Sequence, residues 1–261
     1  MHDIKLIVCD LDGTLLKDDK TVSEYTISVL EKCQQKGLKF AVATARSSYW
    51  VKGLESFLKP DIWIVDGGCF AFCEGKMPYS KVLSLESTNA VLKEIVNADG
   101  VEKITAESLN ACFLNQPISK SLYAQQLMAQ GATVIETDFL TPLTHPVHKI
   151  GAEIPFDEAL KIAQKMQNIH VLKYSGEKWV RFSAQKATKW DALSAVVDHF
   201  GLEAKNILAF GDDFNDITML KNAGVGVAVG NAINEAKQAA DYVCDSNEND
   251  GVARWLAKNL L

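Results

Sequence analysis

No apolar run in this 261-residue chain approaches the ~18–20 residues that a membrane span requires. The N-terminal M-H-D-I-K has neither the basic start, the long apolar region nor the small-residue cleavage site of a secretory leader. Together these absences point to a cytoplasmic protein without a membrane partner. Basic charge is also short. The chain has 27 Lys and Arg against 33 Asp and Glu, a formal net charge of −6, so it lacks the cationic stripe that displaces counterions from nucleic acid. An anionic ligand must then be met by a local cation or a metal. Cysteine is present without pattern: Cys9, Cys33, Cys69, Cys73, Cys112 and Cys244 form no C-x-x-C and no Cys/His pair, and most lie inside apolar runs. Cys69 and Cys73 have no second pair to complete a zinc site. All six therefore read as reduced core residues. Internal repeats and low-complexity tracts are absent too.

What the chain does have is concentrated first in Lys5–Leu16, K-L-I-V-C-D-L-D-G-T-L-L. Leu6 to Cys9 read as a buried strand that ends where Asp10 and Asp12 begin. At the carboxyl edge of a parallel α/β sheet those acids stand where such folds bind ligands. Gly13 lets the chain turn sharply at once. Beyond this, strands alternate with helices. A capping box at Thr21 and Glu24 opens a helix closed by Gly37. A second strand, Leu38–Ala43, runs into Thr44, and one helix carries Trp50, Val51, Leu54, Phe57 and Leu58. A third strand, Ile62–Val65, leads into a hairpin around Glu74-Gly75-Lys76. Trp63 and Trp179 fall within strands and read as core.

From about Leu83 to Ser183 the texture changes to an α/β segment without acidic strand ends. Alternation then resumes with a helix capped by Thr188 and carrying Lys189 in its first turn, followed by a strand ending in Gly211-Asp212-Asp213-Phe214-Asn215-Asp216. The expected fold is a Rossmann-like, doubly wound parallel-sheet core (residues 1–82 and 185–261) with an inserted α/β domain (83–184). Acids gathered from several strand ends repel one another unless a hard cation such as Mg²⁺ joins them.

The ordered set D-L-D-G-T, a threonine after the second strand, a lysine and G-D-D-F-N-D, continued by M-L-K-N-A-G-V-G-V-A-V-G-N-A and D-G-V-A, resembles the haloacid dehalogenase superfamily. The insertion resembles the type IIB cap of its Cof-type branch. The resemblance implies a Mg²⁺-dependent phosphatase acting on a small phosphorylated metabolite, such as a sugar phosphate. It implies that Asp10 attacks phosphorus and that Asp12 serves as general acid and base. Mg²⁺ is implied on Asp10, the Asp12 main-chain carbonyl and Asp212, and phosphoryl contacts on Leu11, Thr44, Ala45, Lys189 and Asn215. Asp216 would orient Lys189 or metal-bound water, and Asp213 would be structural.

A phosphomutase of the same architecture and a non-catalytic phospholigand-binding protein are the alternatives, and the chain is expected to be a monomer or homodimer. Three positions depart from the family pattern: Ala45 and Trp190 stand where Gly is common, and Asp66 stands where Asn is. In the insertion, His145, His148, Lys149, Lys173, Tyr174, Lys178 and Arg181 are the polar residues available to face a substrate.

Overall fold

A computed structural model describes residues 3–261; Met1 and His2, which open the M-H-D-I-K stretch, lie outside the described residues. The chain forms two compact units. One comprises the stretch up to Ala45, Lys52–Ser80 and Thr188–Leu261, the other Arg46–Val51 and Lys81–Ala187.

In chain order, the first unit begins with β1 (Leu6–Cys9), α1 (Glu24–Gln35) and β2 (Lys39–Ala43). Two short helices follow, α2 (Ser48–Val51) and α3 (Glu55–Leu58), then β3 (Ile62–Val65) and the hairpin β4 (Phe70–Cys73) and β5 (Lys76–Ser80). The second unit supplies α4 (Leu85–Val96), β6 (Ile104–Glu107), β7 (Ala111–Leu114), α5 (Leu122–Ala129), β8 (Thr133–Glu136), β9 (Lys149–Glu153), α6 (Phe156–Gln164), β10 (Ile169–Lys173) and β11 (Trp179–Ala184). The chain returns to the first unit with α7 (Lys189–His199), β12 (Ile207–Gly211), α8 (Ile217–Asn222), β13 (Val225–Ala228), α9 (Asn234–Ala239), β14 (Tyr242–Val243) and α10 (Gly251–Asn259).

The first unit is an 8-stranded sheet in the order β14-β13-β12-β1-β2-β3-β4-β5. Its strands are parallel through β3, and the hairpin adds an antiparallel edge. β1 lies inside it with every residue buried, as an uninterrupted L-I-V-C run requires of a strand covered on both faces. Of the helices, α1 packs with α10, while α7, α8 and α9 pack in sequence with one another. This is the expected Rossmann-like architecture. The second unit is a 6-stranded sheet ordered β10-β11-β9-β6-β7-β8. Ile104, Ala106, Ile150, Ala152, Val180 and Phe182 form its apolar face and join a core with Val91, Leu92 and Ile95 of α4 and Ala159 and Ile162 of α6. All six cysteines are free; Cys244 is half-buried and the others are buried.

Several local expectations are corrected. Helix α1 is capped by Ser23, whose side chain accepts from the Thr26 amide, and not by Thr21. Thr21 is taken up by the preceding turn, where its amide and hydroxyl both donate to Asp19 Oδ1. The single helix expected over Trp50–Leu58 is broken into α2 and α3 around Gly53, a residue that weakens a helix interior by about 1 kcal/mol. Its first half, expected in the core domain, groups with the second unit. There Trp50 stacks on Tyr123 at 6.5 Å between ring centroids, and Tyr49 Oη donates to the Leu109 carbonyl. Trp63 and Trp179 do lie in β3 and β11, but only half-buried.

Candidate active site

Register places the acids together. Cys9 pairs with Phe210 of β12 on one side and with Val42 of β2 on the other, so the residues beyond those pairs leave one edge of the sheet side by side. Asp10 and Asp212 are thus neighbours, and Thr44 follows β2 at the same edge. One carboxylate oxygen from each of Asp10, Asp212 and Asp216 lies within 4.8 Å of the other two. Lys189 reaches them from the first turn of α7, whose start is fixed by Thr188: its hydroxyl caps the Asp191 amide and donates to the Asp191 carboxylate at 2.6 Å. The Lys189 ammonium donates to Asp10 Oδ1 at 2.5 Å and to Asp216 Oδ1 at 2.6 Å. It is 1% exposed.

Burial is the largest influence on these groups. It pushes the Asp10 carboxyl well above the ordinary Asp range, and the Asp216 and Asp212 charges push the same way; Lys189 offsets them only in part. Burial and the Asp216 charge raise Asp212 to about 7, against a hydrogen bond from Thr14 Oγ1 that favours its ionised form. For Lys189, burial disfavours the charge, but Asp10 and Asp216 outweigh it and hold the ammonium above its usual value. One cation therefore serves several crowded acids. Asp216 is spoken for on both oxygens, since Oδ2 accepts from the Asp212 and Asp213 amides at 3.1 and 3.2 Å. Asp10 and Asp212 are left as the hard oxygen donors, a set that fits Mg²⁺.

The phosphate-binding candidates are positioned as follows. Thr44 is buried; its amide donates to the Ile64 carbonyl and its carbonyl accepts from Gly67. Leu11 is buried, and its carbonyl gathers the amides of Thr14, Leu15 and Leu16 into a tight turn. Ala45 follows, half-buried. Asn215 is 7% exposed, and its Nδ2 has no hydrogen-bond partner. A buried amide donor left open beside an acid cluster is suited to an oxyanion. Close approach is built into the backbone: a Cβ on Gly13, at φ +78°, would stand 2.5 Å from Asp212 Oδ2, and one on Gly211 would collide with the Asp216 Cβ. Asp213 is structural, capping the Phe214–Asp216 turn through the Phe214 amide. Of the departures from the family pattern, Asp66 is buried at φ +53°, a left-handed position that Asp and Asn tolerate better than most residues, and Trp190 is half-buried.

Asp12 stands apart from the buried acids. Its carboxylate is 39% exposed and pairs with Lys20 at 2.9 Å. The loop behind it is braced from far along the chain. Asn231 Nδ2 donates to the Gly13 carbonyl at 2.7 Å, the Asn247 amide donates to Asn231 Oδ1, and Asn247 Nδ2 donates to the Leu16 carbonyl. Sequence reasoning missed Lys20, Asn231 and Asn247. Asn231 and Asn247 do lie in the matched G-N-A and pre-D-G-V-A stretches, which was the only signal.

In the second unit, cross-strand register lines up Cys112, Glu107, Lys149, Ser183 and His170 on one face of the sheet, with Thr105, Gly151 and Arg181 in the next row. This face is polar where the opposite one is apolar. Glu107 accepts from Tyr123 Oη at 2.9 Å and pairs with Lys149 at 3.2 Å; Ser183 is fully buried with its hydroxyl unpartnered. Of the polar candidates read from the sequence, Lys149 and Arg181 belong to this face. His148 is buried just before β9, Lys173 and Tyr174 are half-buried, and His145 and Lys178 are exposed. Glu107 and Tyr123 were not anticipated.

Comparison with known proteins agrees with this geometry. The sequence profile of haloacid dehalogenase-like hydrolases matches residues 7–256. Two proteins of Bacillus subtilis, each named a 5-amino-6-(5-phospho-D-ribitylamino)uracil phosphatase, are 27% and 29% identical, the first covering 99% of this chain and 97% of its own, the second 96% of each. Among solved structures, a sugar phosphatase of haloacid dehalogenase subclass IIB superposes with a TM-score of 0.84 at 23% identity, over 97% of this chain and 98% of that one. A haloacid dehalogenase-like hydrolase from Bacteroides thetaiotaomicron gives 0.79 at 28% identity, over 98% and 99%. No helix among the described residues is long and apolar enough to cross a membrane. With the profile spanning nearly the whole chain and the acids, lysine and backbone cradle at one sheet edge, the chain belongs to the haloacid dehalogenase-like hydrolase family and is a phosphatase.

Proposed function

We propose that the protein hydrolyses the phosphomonoester of a small metabolite of the sugar-phosphate or phosphorylated-polyol kind through an aspartyl-phosphate on Asp10. The observation that carries this reading is the buried Asp10–Lys189–Asp216 ion triad, with the open Asn215 amide on the residue preceding Asp216. In the first half-reaction an Asp10 carboxylate oxygen bonds to phosphorus as the ester P–O bond breaks, and Asp12, entering the step protonated on Oδ2 rather than on the Oδ1 that faces Lys20, gives its proton to the departing alkoxide. In the second, Asp12 takes a proton from water, whose oxygen attacks phosphorus, and Asp10 is released with inorganic phosphate.

Lys189 and the Asn215 amide are suited to the equatorial phosphoryl oxygens, together with Thr44 and the amides of Leu11 and Ala45. Their charge and dipoles meet negative charge where it builds up. Asp10, Asp212 and the Asp12 carbonyl would hold Mg²⁺, which when bound supplies charge neutralisation between the acids and the phosphoryl group. Asp216, committed to Lys189 and to two backbone amides, orients the lysine. The names of the relatives support a phosphorylated polyol or sugar, as does the mixed-charge, hydroxyl-bearing face of the second unit. That unit is read as the domain that sets substrate choice.

The test is phosphate release from sugar phosphates, phosphorylated polyols, nucleotides and an aryl phosphate, with and without Mg²⁺, by wild type and Asp10→Asn. Mg²⁺-dependent release that Asp10→Asn abolishes is the expected result. Release that persists in Asp10→Asn would sink the covalent mechanism, and isomerised substrate without free phosphate would make the protein a mutase.

A further inference from the structure

Lys20 occupies a conformation that its own chemistry does not favour. It sits at φ +67°, in the left-handed region that few residues with a Cβ adopt. The turn bearing it is closed by the Lys17 amide on the Thr21 carbonyl and the Lys20 amide on the Lys17 carbonyl, both at 2.9 Å. Contacts from more than two hundred residues away clamp it further. The Asp18 amide donates to Glu248 Oε1 at 2.7 Å, Asn247 Nδ2 donates to Asp18 Oδ1 at 3.0 Å, and Lys17 pairs with Asp250 and donates to the Glu248 carbonyl.

What this apparatus presents is the Lys20 ammonium, 2.9 Å from Asp12 Oδ1, on a side chain 57% exposed. An ion pair this exposed adds little to stability. Fold stability therefore does not account for a strained turn held on both sides.

The position of Asp12 does account for it. In the proposed reaction an Asp12 carboxylate oxygen meets the ester oxygen of the leaving group. An ammonium held one hydrogen bond away from that carboxylate reaches the atoms next along the leaving group. We propose that Lys20 is a specificity-determining residue: it donates to an oxygen on the carbon adjacent to the ester-bearing carbon, and so favours alkyl phosphates carrying a hydroxyl or carboxylate there. This rests on the phosphatase reading with Asp12 at the leaving group.

The experiment compares wild type, Lys20→Met and Lys20→Arg on four Mg²⁺-supported substrates. Glycerol 3-phosphate and 2-phosphoglycolate carry the neighbouring hydroxyl or carboxylate; ethyl phosphate and 4-nitrophenyl phosphate carry neither. A lost hydrogen bond from a charged donor predicts that Lys20→Met lowers kcat/KM about tenfold more for the first pair than for the second, with the difference in KM, while removal of the ammonium from Asp12 changes kcat alike on all four. A larger loss with 2-phosphoglycolate than with glycerol 3-phosphate would identify a carboxylate as the preferred partner, and the reverse a hydroxyl. Lys20→Arg should restore most of the difference, with melting temperatures unchanged throughout. Equal losses on all four substrates, or none on any, overturn the proposal. Wild-type protein that releases phosphate from none of the four while cleaving members of the wider panel overturns the proposal for Lys20 alone, and release from neither set overturns the proposed hydrolysis with it.

Discussion

Lys189 is a cation without water, and two carboxylates replace the solvent it has lost. Removing one member of such a buried set leaves the others uncompensated, which typically costs about 3–5 kcal/mol. Lys189→Met should therefore lower the urea midpoint sharply at pH 7.5 as well as abolish phosphate release. At pH 5.5 the deficit should shrink, because burial already holds Asp10 well above the usual carboxylate range and the orphaned acids then take up protons. A deficit that stays constant between the two pH values would show that lost packing, not stranded charge, is what the variant suffers. Asp10 and Asp212 were legible in the sequence because each follows the apolar run of a strand, whereas Lys189, on its own an ordinary first-turn lysine, was legible only through the ordered set of motifs that resembles the family. Lys20 and Asn231 were not. Each acts on the Asp12–Gly13 loop from a polar turn, and Asn231 is separated from Gly13 by more than two hundred residues, so no local pattern marks either one.

At the scale of elements, the position of α7 depends on how closely the β3–β4 turn approaches it. A Cβ on Gly68 would collide with the Thr188 carbonyl carbon and oxygen, and Gly68 is at φ +96°. Gly75 in the β4–β5 turn has a similar backbone, φ +72°, with nothing within 4 Å of where a methyl would stand. Gly75→Ala should then cost only the left-handed penalty, about 1–2 kcal/mol. Gly68→Ala adds a backbone collision at the helix that delivers Lys189, so it should cost more and also lower kcat. Thermal unfolding and steady-state rates on the two variants check this; equal stability losses would mean that the turn yields instead of α7. The strands were legible because buried parallel strands read as short apolar runs. The start of α1 was misplaced because the Thr21–Glu24 spacing mimics a capping box, whereas Asp19 captures Thr21 and Ser23 caps the helix. The break between α2 and α3 was hidden because the apolar spacing continues across Gly53, while the aromatic partner of Trp50 is Tyr123, in a distant helix.

For the molecule as a whole, the acid cluster couples folding to protons and, in the proposed reading, to Mg²⁺. Asp212 stands at about 7 in the fold and at about 4 in an unfolded chain. Below pH 4 both states hold the proton. As pH rises from about 4 through 7 the unfolded chain loses its proton first, so the metal-free native state loses stability over that window. In the proposed reading Mg²⁺ binds the deprotonated form and so competes with the proton. The rise in melting temperature on adding Mg²⁺ should therefore be larger at pH 8 than at pH 5.5. An equal rise at both would place the metal away from Asp212. The α/β alternation made the overall architecture legible, whereas the grouping of Arg46–Val51 with the second unit reflects long-range contacts, Trp50 on Tyr123 among them, that sequence order does not reveal.

The clamp between the turn at Lys17–Thr21 and the segment around Asn247–Asp250 bears on how the chain is made. β1 leaves the ribosome early, yet its partner β12 begins only at Ile207 and the clamp later still. At about 5–20 residues per second, β1 waits roughly 10–40 s with the backbone amides and carbonyls of one edge unpaired between apolar side chains. Of the strands in this sheet β1 waits longest for its second neighbour, and synthesis must carry it through that interval shielded from other chains.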